Sequence, residues 1–462
     1  MVHKRHKFSS KFGFIAAAAG SAVGLGNIWK FPFEVGKGGG AAFLLIYLAF
    51  CFLLCYPLLI TEIAIGRRSQ KNPVGSFEAM KHPNWTFIGY LSVLCGVLIL
   101  SFYNVVAGWV FGYFVEILLG NFDIGNNFTS FITDISEVGG YSLFFMVVTA
   151  FIVSKGITNG IEKASKILMP ILVVIMVFLC IYALTLDNAL EGVKFYLVPD
   201  ISKLNLEVIY RALGQSFFSL SLGMGALITY GSYVNRKEDI VSAGAIVTLS
   251  DTGIAFLAGL MIFPIVFSEG LNTDGGTGLI FMSLPSVFEN MGPILGIVIG
   301  ALFFLLLSFA ALTSTISLME LPVSYLVDQK KIRREIAVWI SAAVIFIIGI
   351  PSLLGNGYSN FFTNFITYFG ADQSTDFMTF ITDLALNTFL PIGGFFIAIF
   401  AVYIWKRRKL FRELSYGNEK FLKSWIAKYV GFSLQYIAPV VLAITFVVTV
   451  LEIFFGISLF DL

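Results

Sequence analysis

Apolar runs long enough to cross about 30 Å of hydrocarbon, roughly 20 residues each, recur along the chain with short polar loops between them. Eleven such runs centre near residues 24, 53, 103, 147, 174, 223, 255, 309, 345, 395 and 443. They predict eleven transmembrane helices in a single all-α domain over residues 1–462. Two of the runs are interrupted. The first, Gly13 to Pro32, contains Gly20-Ser21-Ala22-Val23-Gly24-Leu25-Gly26-Asn27. Each glycine there weakens a helix by about 1 kcal/mol relative to alanine. A backbone group released by unwinding in hydrocarbon costs several kcal/mol more unless it is paired. The break therefore predicts a polar occupant, either a cation or small solute held by freed carbonyls or an anion at the N-terminus of the following half helix.

The second interruption, Gln215-Ser216-Phe217-Phe218-Ser219-Leu220-Ser221-Leu222-Gly223-Met224-Gly225, follows almost two hundred residues later. Breaks in corresponding places of two halves point to a midplane site between inverted repeats. Close helix packing alone calls for small residues, but not for Asn27, Ser219 and Ser221 beside them.

Composition places the chain in a membrane: 57% of residues are hydrophobic and 13% charged, against about 25% charged in soluble domains, with mean hydropathy +0.87. Cys51, Cys55, Cys95 and Cys180 all lie within apolar runs, which favours packing over a disulfide framework. Lysines and arginines alternate between loops as the positive-inside rule requires. Lys4, Arg5, Lys7 and Lys11, Arg67 and Arg68, Lys155, Lys163 and Lys166, Arg236 and Lys237, Lys330 to Arg334 and the stretch Lys406 to Lys428 fall on one side, whereas Lys37, Lys194 and Lys203 fall on the other. That places the N-terminus in the cytoplasm, the C-terminus outside and the protein in the inner (plasma) membrane, and leaves the basic loops needing no nucleic-acid partner. The first run lacks a cleavage site and leads straight into its glycine break, so it does not read as a removable signal.

With these residues in place the chain resembles the neurotransmitter:sodium symporter family, specifically its bacterial sodium-coupled amino-acid transporters. The resemblance rests on Ala22-Val23-Gly24-Leu25-Gly26-Asn27-Ile28-Trp29-Lys30-Phe31-Pro32, Gly38-Gly39-Gly40-Ala41 followed by Glu62 and Gly66-Arg67, Gly160-Ile161-Glu162-Lys163, Phe217 to Gly225, Gly278-Leu279-Ile280-Phe281, and Leu312-Thr313-Ser314. It implies two inverted five-helix repeats, about 11–187 and 208–410, with helices one and six unwound at mid-membrane and an additional helix at about 428–458.

Carried over residue by residue, the resemblance implies a first sodium ion among Ala22, Asn27, Ser219 and Asp251. It implies a second among Gly20, Val23, Ala310, Thr313 and Ser314. These are hard oxygen donors suited to an alkali cation. The implied substrate pocket is Ala22, Gly24, Gly26, Ile99, Tyr103, Phe218, Ser221, Met224, Ser314 and Leu318. Relatives that carry biogenic amines have aspartate where Gly24 stands, so here the substrate is expected to bring its own carboxylate, as an α-amino acid does. Met224, a flexible thioether where some relatives have phenylalanine, favours a large aliphatic or aromatic side chain.

Asp251 stands where many relatives have asparagine. In chloride-dependent members an anion lies close by, lined by residues matching Tyr47, Gln215 and Ser219. A buried carboxylate is expensive and functional by default, and the expectation is that Asp251 replaces chloride and takes a proton on the empty return step. Lys30 occupies the place of an outer-gate arginine, with Asp383, or alternatively Asp376, as its acid. Glu62 is expected in a helix network, and no role attaches to Glu320 or Glu452.

No nucleophile motif, phosphate loop or metal cluster accompanies His3, His6 and His82, so an enzyme is not expected, nor any cofactor beyond Na+ as coupling ion. The sequence thus reads as a chloride-independent sodium symporter of a neutral, hydrophobic or aromatic L-amino acid, working by alternating access. The alternatives are symport of another carboxylate-bearing solute and a non-transporting amino-acid sensor. Membrane lipid is the expected surrounding, and a homodimer is left open.

Overall fold

The computed structural model describes residues 7–272 and 278–457; His3, His6, Lys4 and Arg5 lie outside them. The long helices are α1 (Lys11–Ala22), α2 (Gly26–Lys37), α3 (Ala41–Ser69), α4 (Pro83–Leu118), α5 (Ile135–Ser154), α6 (Ile157–Ala183), α7 (Leu206–Ser219), α8 (Ala226–Gly231), α9 (Ile240–Ser268), α10 (Pro293–Asp328), α11 (Arg334–Leu354), α12 (Phe377–Ile404) and α13 (Trp425–Phe455). Nine of them are long and apolar enough to cross a bilayer, and the pair α1/α2, bent by 53°, makes ten. The run expected as span six is shared between α7 and α8, of 14 and 6 residues, each short of a full crossing. Among the described residues the only β feature is an isolated bridge between Ile366 and Thr375.

Helix ends follow local chemistry. Ser10 accepts the Gly13 amide to start α1, and Asn205 accepts the Val208 amide to start α7, each satisfying one of the orphan donors of a first turn. In the interior, small residues bring backbones together: a Cβ on Gly66 of α3 would meet the Ile228 carbonyl of α8 at 1.9 Å. Such close approach is how helices associate where lipid offers no hydrophobic incentive. Helix α1, buried from Ala16 to Ala22, packs against α9, α10 and α6. Large apolar side chains such as Val174, Ile181 and Ile347 remain exposed on the perimeter, as a lipid-facing surface requires.

Two of the charge clusters buried in the helical body are ion pairs. Arg67, grouped by sequence with the basic loops, is fully buried and donates from Nε to Glu413 at 2.9 Å, with a second nitrogen on the Glu238 carbonyl. Glu320 of α10 accepts from both terminal nitrogens of Arg334 at 3.0 and 2.5 Å and from the Tyr233 hydroxyl at 2.6 Å. A lone charge in such a setting is strongly destabilising, and pairing with hydrogen bonding offsets part of that penalty. The four cysteines are buried and unpaired.

Candidate functional site at two helix breaks

Helix α1 stops at Ala22 because Val23 turns extended (φ −71°, ψ 110°), and α2 resumes at Gly26. Asn27 spans the gap: its Oδ1 accepts the Gly24 amide at 3.1 Å. Helix α7 stops at Ser219, and the chain reaches α8 through Ser221, Gly223 and Gly225, all at positive φ. Ser221 is the strained member, since a side chain is disfavoured at φ +53°. Its hydroxyl donates to the Ser21 carbonyl at 2.9 Å and ties one break to the other. At Gly223 the conformation and the space both demand glycine: an added Cβ would fall 2.3 Å from the Leu390 carbonyl of α12. The freed Gly223 amide is met by Glu62 Oε1 at 2.8 Å, so the helix-network role expected of Glu62 has a partner.

Three of the four residues expected around the first sodium, Asn27, Ser219 and Asp251, come together. Asn27 Nδ2 donates to Ser219 Oγ at 2.9 Å and to Asp251 Oδ1 at 2.7 Å, and Ser219 Oγ donates to Asp251 Oδ2 at 2.7 Å. Tyr47 reaches the same Ser219 hydroxyl at 3.0 Å. Gln215 turns away, its Nε2 donating to the Gly26 carbonyl at 2.9 Å. All of these groups are buried.

The residues expected around the second sodium also meet. Thr313 and Ser314 hydroxyls of α10 lie 3.4 and 3.3 Å from the Val23 carbonyl, Thr313 also donates to Ala310 O at 3.0 Å, and Gly20 lies where an added Cβ would contact Thr313 at 3.2 Å. Hydroxyl and carbonyl oxygens are the donors a hard cation takes. Among the described residues no cluster of three or more histidine, cysteine or acidic side chains forms a transition-metal site.

Between these two oxygen clusters lies a cavity of about 30 Å³. Its walls include Ala22, Gly24, Gly26, Ile99, Tyr103, Phe218, Ser221, Met224, Ser314 and Leu318, the ten residues expected around the substrate. Ser21 and Ser317 also line it, and sequence reasoning missed both. The Ser21 contribution is a backbone carbonyl exposed by the break, which residue type does not signal; Ser317 sits one residue before Leu318 on α10 and was readable from helical spacing. Tyr103 OH accepts the Leu25 amide at 3.0 Å. Phe218, Tyr103 and Met224 are the large side chains of its wall, so their positions set how large a ligand it admits. No charged side chain lines the cavity.

The outer pair is not joined. Lys30 Nζ lies 4.8 Å over the Phe218 ring, while Asp383 accepts from Tyr368 at 3.0 Å and Asn387 at 2.9 Å. Asp376 caps the helix that begins at Phe377, accepting the Thr379 amide at 2.9 Å. A compact ammonium held over an aromatic face is a cation–π contact, and it places the base directly on the side chain that roofs the cavity.

A helical body with two broken helices and oxygen clusters on either side of a small uncharged cavity defines a multi-pass membrane transport protein. The chain belongs to the Sodium:neurotransmitter symporter family, which it matches over residues 5–131 and 124–455. An uncharacterized sodium-dependent transporter of Bacillus subtilis, YhdH, is 36% identical over 454 residues, covering 95% of this chain and 96% of that one. A second uncharacterized sodium-dependent transporter, from Haemophilus influenzae, is 33% identical over 96% and 98% of the two chains. The crystal structure of MhsT in complex with L-phenylalanine is similar over 96% of this chain and 99% of that chain, with TM-score 0.86 and 40% sequence identity. The protein is accordingly a sodium-dependent symporter and not an enzyme, with Na+ as its coupling ion.

Proposed function

We propose that the chain carries a neutral L-amino acid with a hydrophobic or aromatic side chain into the cell together with sodium, independently of chloride. The observation that carries this reading is the uncharged cavity. With no acidic side chain to hold an amine and no basic one to hold an acid, the ligand has to be self-neutralising. Its carboxylate suits the Tyr103 hydroxyl and the amides beginning α2, and its ammonium suits the carbonyls of the two breaks. Ile99, Phe218, Met224 and Leu318 offer an apolar wall to its side chain. The likeness to a structure solved with L-phenylalanine supports the same class.

Sodium in this proposal takes Ala22, Asn27, Ser219 and Asp251 at one site and Gly20, Val23, Ala310, Thr313 and Ser314 at the other. Asp251 supplies the negative charge that chloride supplies elsewhere and takes a proton during the empty return. The chain crosses the inner membrane eleven times, N-terminus in the cytoplasm and C-terminus outside, with two inverted repeats whose first helices are α1/α2 and α7/α8. Lys30 and Asp383 guard the outer approach and join when it closes. The ions drive transport by binding the substrate-competent state better than its alternatives.

Binding of the twenty amino acids to purified protein, in sodium and then in potassium with gluconate replacing chloride, tests this. The expected result is saturable binding of large apolar amino acids in sodium alone. Equal binding in potassium, or a requirement for chloride, overturns it.

A further inference from the structure

On the side of the molecule that carries the basic loops, far in sequence from both breaks, α5 and α11 leave a groove of about 690 Å³ between them. Phe151 near the end of α5 and Ile336, Trp339, Ile340 and Ala343 along α11 form it. Phe151 is 55% exposed and Trp339 46%. The groove runs without interruption into a second, polar recess of about 420 Å³, because Ser154, Lys155 and Glu335 line both. Gly156 to Asn159, the opening of the 27-residue helix α6, and Arg333, which precedes α11, complete the recess.

The charge at this recess is specific. Arg334 is committed inward, to Glu320 and to the Val153 carbonyl at 3.0 and 2.9 Å. Lys155 has its ammonium 4.6 Å over the Phe151 ring, and among the described residues neither Lys155 nor Arg333 pairs with a carboxylate. Glu335 is the one acid facing them from α11, and α6 contributes none to the recess. Two cations against one carboxylate leave one positive charge, at a helix N-terminus that itself favours an anion. Directly alongside is an apolar trough that carries Trp339, a residue type enriched where helices meet the membrane–water boundary.

We propose that this two-part site holds one anionic phospholipid of the cytoplasmic leaflet, its phosphodiester between Lys155 and Arg333 and one acyl chain along Phe151, Trp339 and Ile340. The assignment to the cytoplasmic leaflet rests on the orientation proposed above. A zwitterionic lipid fits less well, because its headgroup does not neutralise the charge that remains, and basic recesses between helices at that face suit anionic headgroups.

Native mass spectrometry of the full-length protein titrated with dioleoylphosphatidylglycerol and, separately, with dioleoylphosphatidylcholine tests the site. The anionic lipid is expected to be held about tenfold more tightly. K155Q/R333Q is expected to lower its affinity to that of phosphatidylcholine. A343W, which fills the trough and leaves the charges, is expected to weaken it as well. Equal affinity of the wild type for both lipids overturns the proposal, as does full retention of phosphatidylglycerol by K155Q/R333Q. Sodium-dependent amino-acid binding on the same preparations keeps the two readings apart. Its persistence in K155Q/R333Q together with lost lipid selectivity supports a lipid site separate from the transport site, whereas its absence from the wild type counts against the amino-acid reading and leaves the lipid comparison intact.

Discussion

Asp251→Asn is expected to convert chloride-indifferent uptake into uptake that requires chloride. Asp251 accepts from Asn27 on one oxygen and from Ser219 on the other, both at 2.7 Å, and it is fully buried. Asparagine retains one acceptor and turns an NH2 toward donors already present, so the geometry loses a charge and a hydrogen bond together. A hydrogen bond to a charged group contributes about 1.5–3 kcal/mol, which corresponds to a loss of roughly tenfold to a hundredfold in apparent sodium affinity when chloride is absent. Added chloride is expected to restore much of it, since Tyr47 and Ser219 already converge beside the carboxylate. Sodium-dependent binding measured in gluconate and in chloride reads this directly. A variant indifferent to chloride contradicts the replacement role of Asp251, and so does a chloride requirement in the wild type.

The second large effect is expected at Gly24. A Cβ there would sit 2.5 Å from Ser314 Oγ and 2.9 Å from Tyr103 OH, in the wall of the cavity. Gly24→Asp would set a carboxylate beside the groups proposed to receive the ligand's own. Like charges placed together at a desolvated contact cost several kcal/mol, so affinity for a large apolar amino acid is expected to fall at least about a hundredfold, while the matching amine lacking the carboxylate is expected to gain relative to it. Competition binding with phenylalanine and phenethylamine measures the ratio. An unchanged ratio contradicts the idea that the substrate carboxylate lies against Gly24 and Tyr103.

Much of the site was legible because its chemistry is written in backbone-permissive and hydroxyl residues that have no other reason to lie in apolar runs. Gly20, Gly24 and Gly26 marked the first break, Ser219, Ser221 and Gly223 the second, and the residues expected around the cavity do surround one cavity. What spacing did not convey are contacts made by the backbone or dictated by conformational state. The Ser21 carbonyl and the Gly223 amide take part only because the helices open there. Lys30 and Asp383 lie on separate elements with other partners available to each, and residue type does not say which partner each takes. Glu320 received no role from sequence because Arg334, its partner, lies beyond the end of its own helix and read as a loop charge.

Hydropathy likewise located the long apolar helices but not their continuity. The run centred near 223 looks like one span, yet six positions within it, Leu220 to Gly225, leave the helix, and α7 and α8 are each too short to cross. Local propensity yields here to packing: Gly223 and Gly393 approach so closely that an added Cβ on Gly393 would lie 2.3 Å from the Gly223 carbonyl. The break is held open by α12 and Glu62 as much as by its own residues.

The central claim is that a sodium gradient drives an amino acid through this cavity. Accumulation of radiolabelled phenylalanine in proteoliposomes, with sodium outside, potassium inside and gluconate throughout, tests it most directly. The account predicts accumulation above the external concentration, collapsing when a sodium ionophore dissipates the gradient; uptake that only equilibrates, or that persists unchanged without sodium, contradicts it.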